Sequence, residues 1–455
     1  MSEKQWESAA LQSYSEAVDW ITSLVPFGIR PGLDRIELLM EKLGNPHRRL
    51  KFIHIAGTNG KGSTCAYLTS VLLEAGYDVG TFTSPYITKF TDRFQYNGAN
   101  IDEHTLLKLA NTLKPLVEEM ASTELGSPTM FEVSTALAIL YYARETFPDY
   151  VVWETGLGGR LDVTNIVTPV ISVITNIGHD HMDRLGNTIE EIAFEKAGII
   201  KSGVPVVSAV TQPEAIEVIR DMARNKKSTL YLLGEQFTET ELQTRENEQI
   251  FRFEGTFRTI DSLAITLNGA HQRKNAAVAV MALEVLRQYY ALIVEDEALE
   301  AGLRKAAWPG RLEMVSGSPR ILIDGAHNPE GAQTLAAALK NTYSHDRIHV
   351  MMGMLENKNH PDTIKHILPI VDTIIVTEPD FRNAMKAGAL ADIIRGMEQP
   401  DHPVELIVEP DWRSALSKLK QLTKEGDLGV VTGTLYLIAD VRGLLVNNSD
   451  SEKGW

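Results

Sequence analysis

Gly57-Thr58-Asn59-Gly60-Lys61-Gly62-Ser63 follows directly on the apolar run Lys51-Phe52-Ile53-His54-Ile55-Ala56 and precedes a helical pattern carrying Ala66, Leu68, Val71 and Leu72. A strand, a glycine-rich turn with lysine and a helix together make a phosphate cradle. Glycines let backbone N–H groups approach phosphate oxygens, the helix N-terminus adds partial positive charge, and Lys61 supplies a full one. The stretch departs from the common G-x-x-x-x-G-K-[ST] form, because Ile55 stands where the first glycine belongs and Gly62 separates Lys61 from Ser63. That departure argues against ordinary GTPases and kinases and points to a narrower group of ATP users.

Outward from the cradle, apolar runs alternate with amphipathic segments almost throughout, which signals α/β architecture with mostly parallel sheets. Strands are expected at 51–56, 78–83, 150–155, 170–175 and 204–209, and helices at 102–120, 129–146, 188–200 and 212–225. Short alternating runs within 229–267 (Tyr231-Leu232-Leu233, Phe251-Arg252-Phe253, Leu263-Ala264-Ile265) read as antiparallel strands at a domain edge. Helices follow at about 270–290 and 297–306. After Trp308-Pro309-Gly310-Arg311 the alternation restarts, with strands at 321–323, 348–352, 373–376, 404–408 and 429–432. The chain therefore divides into a P-loop-type, mostly parallel N-terminal domain (1–305) and a smaller, doubly wound, Rossmann-like C-terminal domain (306–455). The tail from Asn447 reads as a frayed end.

At 455 residues, 44% hydrophobic and 23% charged, the composition is that of a soluble globular protein. A formal net charge of -16 argues against nucleic-acid or anionic-membrane partners, so an anionic substrate needs local cationic pockets. The single cysteine, Cys65, excludes an internal disulfide and reads as a packed apolar residue. The opening residues lack a basic-then-apolar signal segment, and no apolar run approaches the roughly 18 residues of a membrane span. A cytoplasmic location is expected, with a monomer as the default.

Four further stretches carry candidate chemistry. In Val151-Val152-Trp153-Glu154-Thr155-Gly156-Leu157-Gly158-Gly159-Arg160-Leu161-Asp162, Glu154 ends a parallel strand, where open α/β sheets place their chemistry and where a carboxylate can hold Mg²⁺ against phosphates. Thr175-Asn176-Ile177-Gly178-His179-Asp180-His181-Met182-Asp183 is another strand-end segment; it reads equally as a metal site or as a polar loop of turn formers. Lys196, on the apolar stretch Ile192–Ile200, either snorkels its charge to solvent or, if buried, shifts toward the neutral amine that reacts with CO₂ to give a carbamate. In Ile321-Leu322-Ile323-Asp324-Gly325-Ala326-His327-Asn328-Pro329-Glu330, Asn328 as N-cap and Pro329 as first helical residue are helix-start chemistry, with Asp324 and His327 at the strand edge as ligand candidates. Asp183-Arg184-Leu185-Gly186 matches the GTPase D-x-x-G by chance. Asn357-Lys358-Asn359-His360 resembles the guanine-reading N-K-x-D but lacks its aspartate.

These motifs, together with Glu195-Lys196-Ala197-Gly198-Ile199, His271-Gln272-x-x-Asn275-Ala276 and Trp308–Arg311, occur in one order over roughly residues 28 to 440. The combination closely resembles the folylpolyglutamate synthase/dihydrofolate synthase family, relatives of the muramyl-peptide ligases. The resemblance implies an ATP-dependent amide ligase, with the triphosphate on Gly57–Ser63 and with Asn275, Arg311, Asp324 and His327 completing the ATP site. It assigns Mg²⁺ to Ser84, Glu154 and His181 rather than His179, and it makes Lys196 a carbamylated lysine and, with Lys61, Glu154 and His181, part of the catalytic set. For the pterin it points to Arg30, Pro31, Gly32, Phe131, Leu161, Asp162 and Val163, beside the loop 83–94, whose aromatics could stack on a flat ring and whose Lys89 and Arg93 suit carboxylates. Asp92 stands where family members often carry glutamate.

The implied reaction converts a carboxylate into an acyl phosphate with ATP, then displaces phosphate with the amino group of L-glutamate. The Arg160-Leu161-Asp162 sequence resembles that of bifunctional members, which act on dihydropteroate and on reduced folates. The competing readings are a folylpolyglutamate synthase alone, another muramyl-type amino-acid ligase, and a non-catalytic ATP-binding regulator. The folate-type loop disfavours the muramyl reading, and intact Lys61, Glu154, His181 and Lys196 disfavour the regulator.

Overall fold

A computed structural model describes residues 10–24, 32–397, 402–448 and 451–452; the expected pterin contacts Arg30 and Pro31 lie outside the described residues. The first sheet contains β1 (Phe52–Ala56), β2 (Val79–Phe82), β3 (Phe94–Tyr96), β4 (Ala99–Asn100), β5 (Tyr150–Glu154), β6 (Ile171–Ile174), β7 (Val206–Ser208) and β8 (Leu230–Leu232). Its order is β4-β3-β2-β5-β1-β6-β7-β8. From β2 to β8 neighbouring strands are parallel, and β3 and β4 form an antiparallel edge. All five residues of β1 are buried, as a central parallel strand covered on both faces demands.

The run at Tyr231–Leu233 departs from expectation. It supplies β8, which pairs in parallel with β7 and closes the main sheet instead of joining an antiparallel group. A three-residue run carries no direction of its own, and the parallel connection through the helix Pro213–Asn225 decides it. The antiparallel group is β9 (Phe237–Arg245), β10 (Glu248–Gly255) and β11 (Thr259–Ile265), a separate three-stranded sheet. Helix Ala270–Tyr290 fills the space between the sheets, touching β6 and β7 on one side and β9 and β10 on the other. Its stretch from Asn275 to Leu286 is accordingly buried all round. The expected helix 129–146 is Met130–Leu140, started by a Thr129/Glu132 capping box, continued by a π-helical turn Tyr141–Thr146.

The second α/β unit holds β12 (Glu313–Gly317), β13 (Arg320–Ile323), β14 (Ile348–Met352), β15 (Thr373–Glu378), β16 (Glu405–Asp411) and β17 (Leu428–Thr432), ordered β12-β13-β17-β14-β15-β16. Only β12 runs antiparallel. The tail is not simply frayed: Glu452 N–H donates to Thr88 O at 2.8 Å, and its carboxylate accepts from Phe90 N–H at 2.8 Å and Tyr14 O–H at 2.9 Å. No described helix is long and apolar enough to cross a membrane.

His54 lies in the middle of β1, fully buried, with Nε2 3.0 Å from Thr164 Oγ1. Burial, helped by the charge of Lys201, pushes it down from 6.5 to about 3. Between those values the unfolded chain binds the proton and the folded chain does not. His54 therefore leaves stability intact above pH 6.5 and erodes it as the pH falls toward 3. Relative to neutral pH the loss at pH 5 should be about 2 kcal/mol. Urea midpoints measured from pH 7.5 to 5 should show this slope, and His54→Gln should flatten it; an unchanged slope in the variant would contradict the assignment.

Candidate active site

Four strand ends of the first sheet and four of the second open on one cleft, with a volume of about 470 Å³. Gly57–Ser63 leaves β1, Ser84 follows β2, Glu154 ends β5, and His181 lies in the loop after β6; Lys196 enters from helix Ile189–Ala197, and Arg311 and His327 close the cleft from the second unit. β1 sits between β5 and β6, so the cradle occupies a position where strand order and chain order part.

The cradle is shaped by close approach. A Cβ on Gly57 would lie 1.8 Å from Thr175 Oγ1, and Gly57 has φ +155°. Gly60, at φ +82°, caps helix Lys61–Glu74, and a Cβ there would strike Asn275 Oδ1 at 2.5 Å. The loop is pinned to the segment after β6: Thr58 N–H donates to Asn176 O at 3.0 Å, Asn59 N–H to Asn176 Oδ1 at 2.7 Å, and Thr175 O–H to Asn59 O at 2.6 Å. Behind it, Asn275 Nδ2 donates to Gln272 Oε1 at 3.1 Å, and Gln272 Nε2 to Ser63 Oγ at 3.1 Å. The Trp308 ring lies against Gly62, where a Cβ would approach to 2.3 Å.

Lys61 Nζ donates to Gly57 O at 3.1 Å and lies 4.0 Å from Glu154 Oε1. Glu154 is 3% exposed and accepts Ser84 N–H at 2.9 Å. Burial lifts its pKa to about 7, against the opposing pull of Lys61, the Ser84 N–H, Arg311 and Arg93. Lys196 does not snorkel. It is 3% exposed, donates to Gly57 O at 2.9 Å, and is pushed down to about 7 by burial and by the Lys61 charge. Two lysines thus converge on one carbonyl of the cradle.

Asp324 sits behind the cleft, accepting Leu312 N–H at 3.0 Å and Ala326 N–H at 2.9 Å. It and Asn275 shape the walls while Arg311 and His327 line them. The pterin candidates form a second group. The Phe131 ring covers Gly156, where a Cβ would lie 2.5 Å away. Asp162 is buried and accepts Leu157 N–H at 2.7 Å, Thr164 N–H at 3.0 Å and the Thr164 hydroxyl. Val163 is buried, Leu161 is exposed, and Gly32 stands at φ +126°. Phe131 and Asp162 pack on the loop that begins at Gly156, and none of the five lines the cleft itself. His179 is exposed and binds Glu330 through its N–H, apart from the cleft lining.

Loop 83–94 corrects one expectation. Tyr86, Phe90 and Phe94 are core residues, and Arg93 is buried with its guanidinium 5.0 Å from the Tyr86 ring centroid and 5.8 Å from that of Phe90. Those rings pack on one another and on Arg93 instead of offering a free face. Only Ser84 and Pro85 of this loop reach the cleft.

Residues 55–283 match the Mur ligase middle domain, and residues 310–435 match the Mur ligase glutamate ligase domain. The dihydrofolate synthase/folylpolyglutamate synthase of Bacillus subtilis is 43% identical over 440 residues, covering 94% of this chain and 98% of that protein. This chain belongs to the folylpolyglutamate synthase/dihydrofolate synthase family. The folylpolyglutamate synthase structure from Thermotoga maritima is 35% identical and covers 97% of this chain and 98% of that chain, with a TM-score of 0.83. The Escherichia coli FolC structure, in complex with DHPP and ADP, is 29% identical and covers 96% of this chain and 98% of that chain, with a TM-score of 0.84.

One wall of this family fold escaped the sequence reading. Asn357 and Lys358 after β14, Phe381–Asn383 after β15 and Thr434–Tyr436 after β17 line the cleft opposite the cradle, with Phe381 and Tyr436 stacked at 3.8 Å and 9°. The strand-end rule that singles out Glu154, and Asp324 and His327 after β13, holds equally for the ends of β14, β15 and β17.

Proposed function

We propose that this chain is an ATP-dependent amide ligase that activates the carboxylate of dihydropteroate or a reduced folate as an acyl phosphate and joins L-glutamate to it. The observation that carries the reading is the convergence of Lys61, Glu154 and Lys196 in a cleft shared by two strand-end edges. Gly57–Ser63 cradle the triphosphate, Asn275 and Asp324 hold the walls of the ATP site, and Arg311 and His327 meet ATP from the second unit. Lys61 neutralises charge on the transferring phosphoryl group. The glutamate amine attacks the acyl phosphate as the free base, and the tetrahedral intermediate collapses with loss of phosphate. Two units closing over the cleft keep water from the acyl phosphate.

Mg²⁺ fits this donor set. Glu154 is a buried carboxylate lifted to about 7, a negative charge its neighbours do not fully offset. Mg²⁺ takes few protein ligands and completes its shell with water and phosphate, so one carboxylate with a hydroxyl and an imidazole is a sufficient donor set. Ser84, Glu154 and His181 would hold it, and bound there it would offset charge on the phosphates. The neutral amine of Lys196 favours carbamylation. Gly32, Phe131 and Leu161–Val163, with Arg30 and Pro31, receive the pterin, and Asp162 favours the bifunctional reading. The boundary falls at 305/306, in the link before Trp308. A cytoplasmic monomer acting on small molecules, without nucleic-acid or membrane partners, accords with the net charge of -16.

With ATP, Mg²⁺ and L-glutamate, phosphate release is expected with dihydropteroate and with tetrahydrofolate. Release with tetrahydrofolate alone would reduce the activity to folylpolyglutamate synthesis, and release with neither would overturn the folate assignment.

A further inference from the structure

Asp180 has no part in the reaction above, yet its carboxylate is the point where the two α/β units grip each other. Oδ1 accepts Lys358 Nζ at 2.9 Å, and Oδ2 accepts Asn328 Nδ2 at 3.2 Å and faces His327 Nε2 at 3.4 Å. All three partners belong to the second unit. Lys358 lies in the segment after β14 that fails as a guanine reader. We propose that Asp180 and Lys358 form a latch that couples closure of the cleft to the placement of His181. The inference rests on the ligase reading, since it gives His181 a task.

The coupling runs through one residue. Asp180 Oδ1 also accepts the N–H of His181 at 2.9 Å. His181 is held at φ 51°, ψ 40°, a left-handed conformation uncommon for a residue with a side chain, and the hydrogen bond from its N–H to Asp180 helps to hold it there. The latch is itself sequestered: the Asp180 and Lys358 side chains are 13% and 12% exposed. Removing one partner of such a pair leaves the other charge largely buried at the cleft wall without its counter-ion, so the arrangement favours two states, latched or opened to water. Neighbouring bonds follow the same seam. Glu330 Oε1 accepts His179 N–H at 3.0 Å, and Asn328 Nδ2 reaches Asn59 Oδ1 of the cradle at 3.4 Å. Opening the seam therefore loosens the His181 loop and the cradle together. Asp180 is a positioning residue, acting through His181.

The test uses the full chain with Lys358→Met, Asp180→Asn and the double variant. Each single change should lower kcat about 10- to 100-fold while KM for ATP moves by less than about threefold, as for other residues that orient a ligand-holding side chain. The double variant should be no worse than the poorer single, because both changes break one latch. Lys358→Arg should recover most of kcat. In small-angle scattering with AMPPCP, Lys358→Met should show a larger radius of gyration than the parent. Losses that multiply in the double variant, kcat unchanged in both singles, or a radius equal to the parent's would each overturn the latch. A parent chain that releases no phosphate with any acceptor would instead sink the ligase reading, and the scattering comparison would still decide the latch.

Discussion

Lys61→Met is expected to lower kcat by about a thousandfold, the scale reached when a preorganised group that stabilises transition-state charge is removed. Methionine keeps the length and apolar stem of the side chain, so helix Lys61–Glu74 and its Gly60 cap should survive. What is lost is the ammonium 3.1 Å from Gly57 O and 4.0 Å from Glu154 Oε1. That position lies between the cradle, where the phosphates belong, and the buried Glu154 carboxylate. The charge matters most when negative charge spreads over the phosphoryl oxygens, so the effect should fall on kcat more than on nucleotide affinity. Glu154, which Lys61 helps to keep ionised, should also titrate higher in the variant. Single-turnover formation of the acyl phosphate and calorimetric AMPPCP binding would separate the two contributions. A variant retaining kcat within about tenfold of the parent would refute the role, since that falls short of one lost charge-stabilising donor.

Local chemistry was legible where it is dictated by neighbours in the chain. β1, the glycine turn and Lys61 stand together in sequence, and their joint geometry follows from backbone freedom at Gly57 and Gly60. Asn328 and Pro329 start helix Pro329–Asn341 as their side chains require, with Asn328 Oδ1 accepting Gly331 N–H at 2.8 Å. Glu154 announced itself by ending an apolar strand. The illegible part depends on partners far away in the chain. Lys358 stands in a stretch that resembles a guanine reader, and its meaning comes instead from Asp180, 178 residues earlier. Tyr86 and Phe90 read as a stacking surface because the sequence does not say which face of a loop the core will claim. β12 was missed because its residues are mostly half-buried and give no apolar run. Asp162 read as a ligand contact from its place in the glycine-rich segment, and what the sequence could not show is that its carboxylate accepts the Leu157 and Thr164 N–H groups and so fixes the loop around it.

Lys196→Ala should lower activity by at least about a hundredfold, and Lys196→Arg should not restore it. The distinction lies in what the two cations can become. A guanidinium stays charged and cannot form a carbamate, whereas the Lys196 amine is driven toward its neutral form by burial and by Lys61. With its pKa near 7, about half of the amine is neutral at pH 7, compared with a minute fraction for a solvated lysine. If the hydrogen bond to Gly57 O were the whole of its role, arginine or a shorter donor could supply part of it. If carbamylation is the role, activity should rise with dissolved CO₂ and fall as the pH drops below 7, where protonation removes the nucleophile. Added ¹³CO₂ should give a carbamate resonance in the parent chain that is missing from both variants. An active Lys196→Arg enzyme, or a parent chain indifferent to CO₂ with no such resonance, would leave Lys196 as a buried donor to the cradle and remove it from the chemistry.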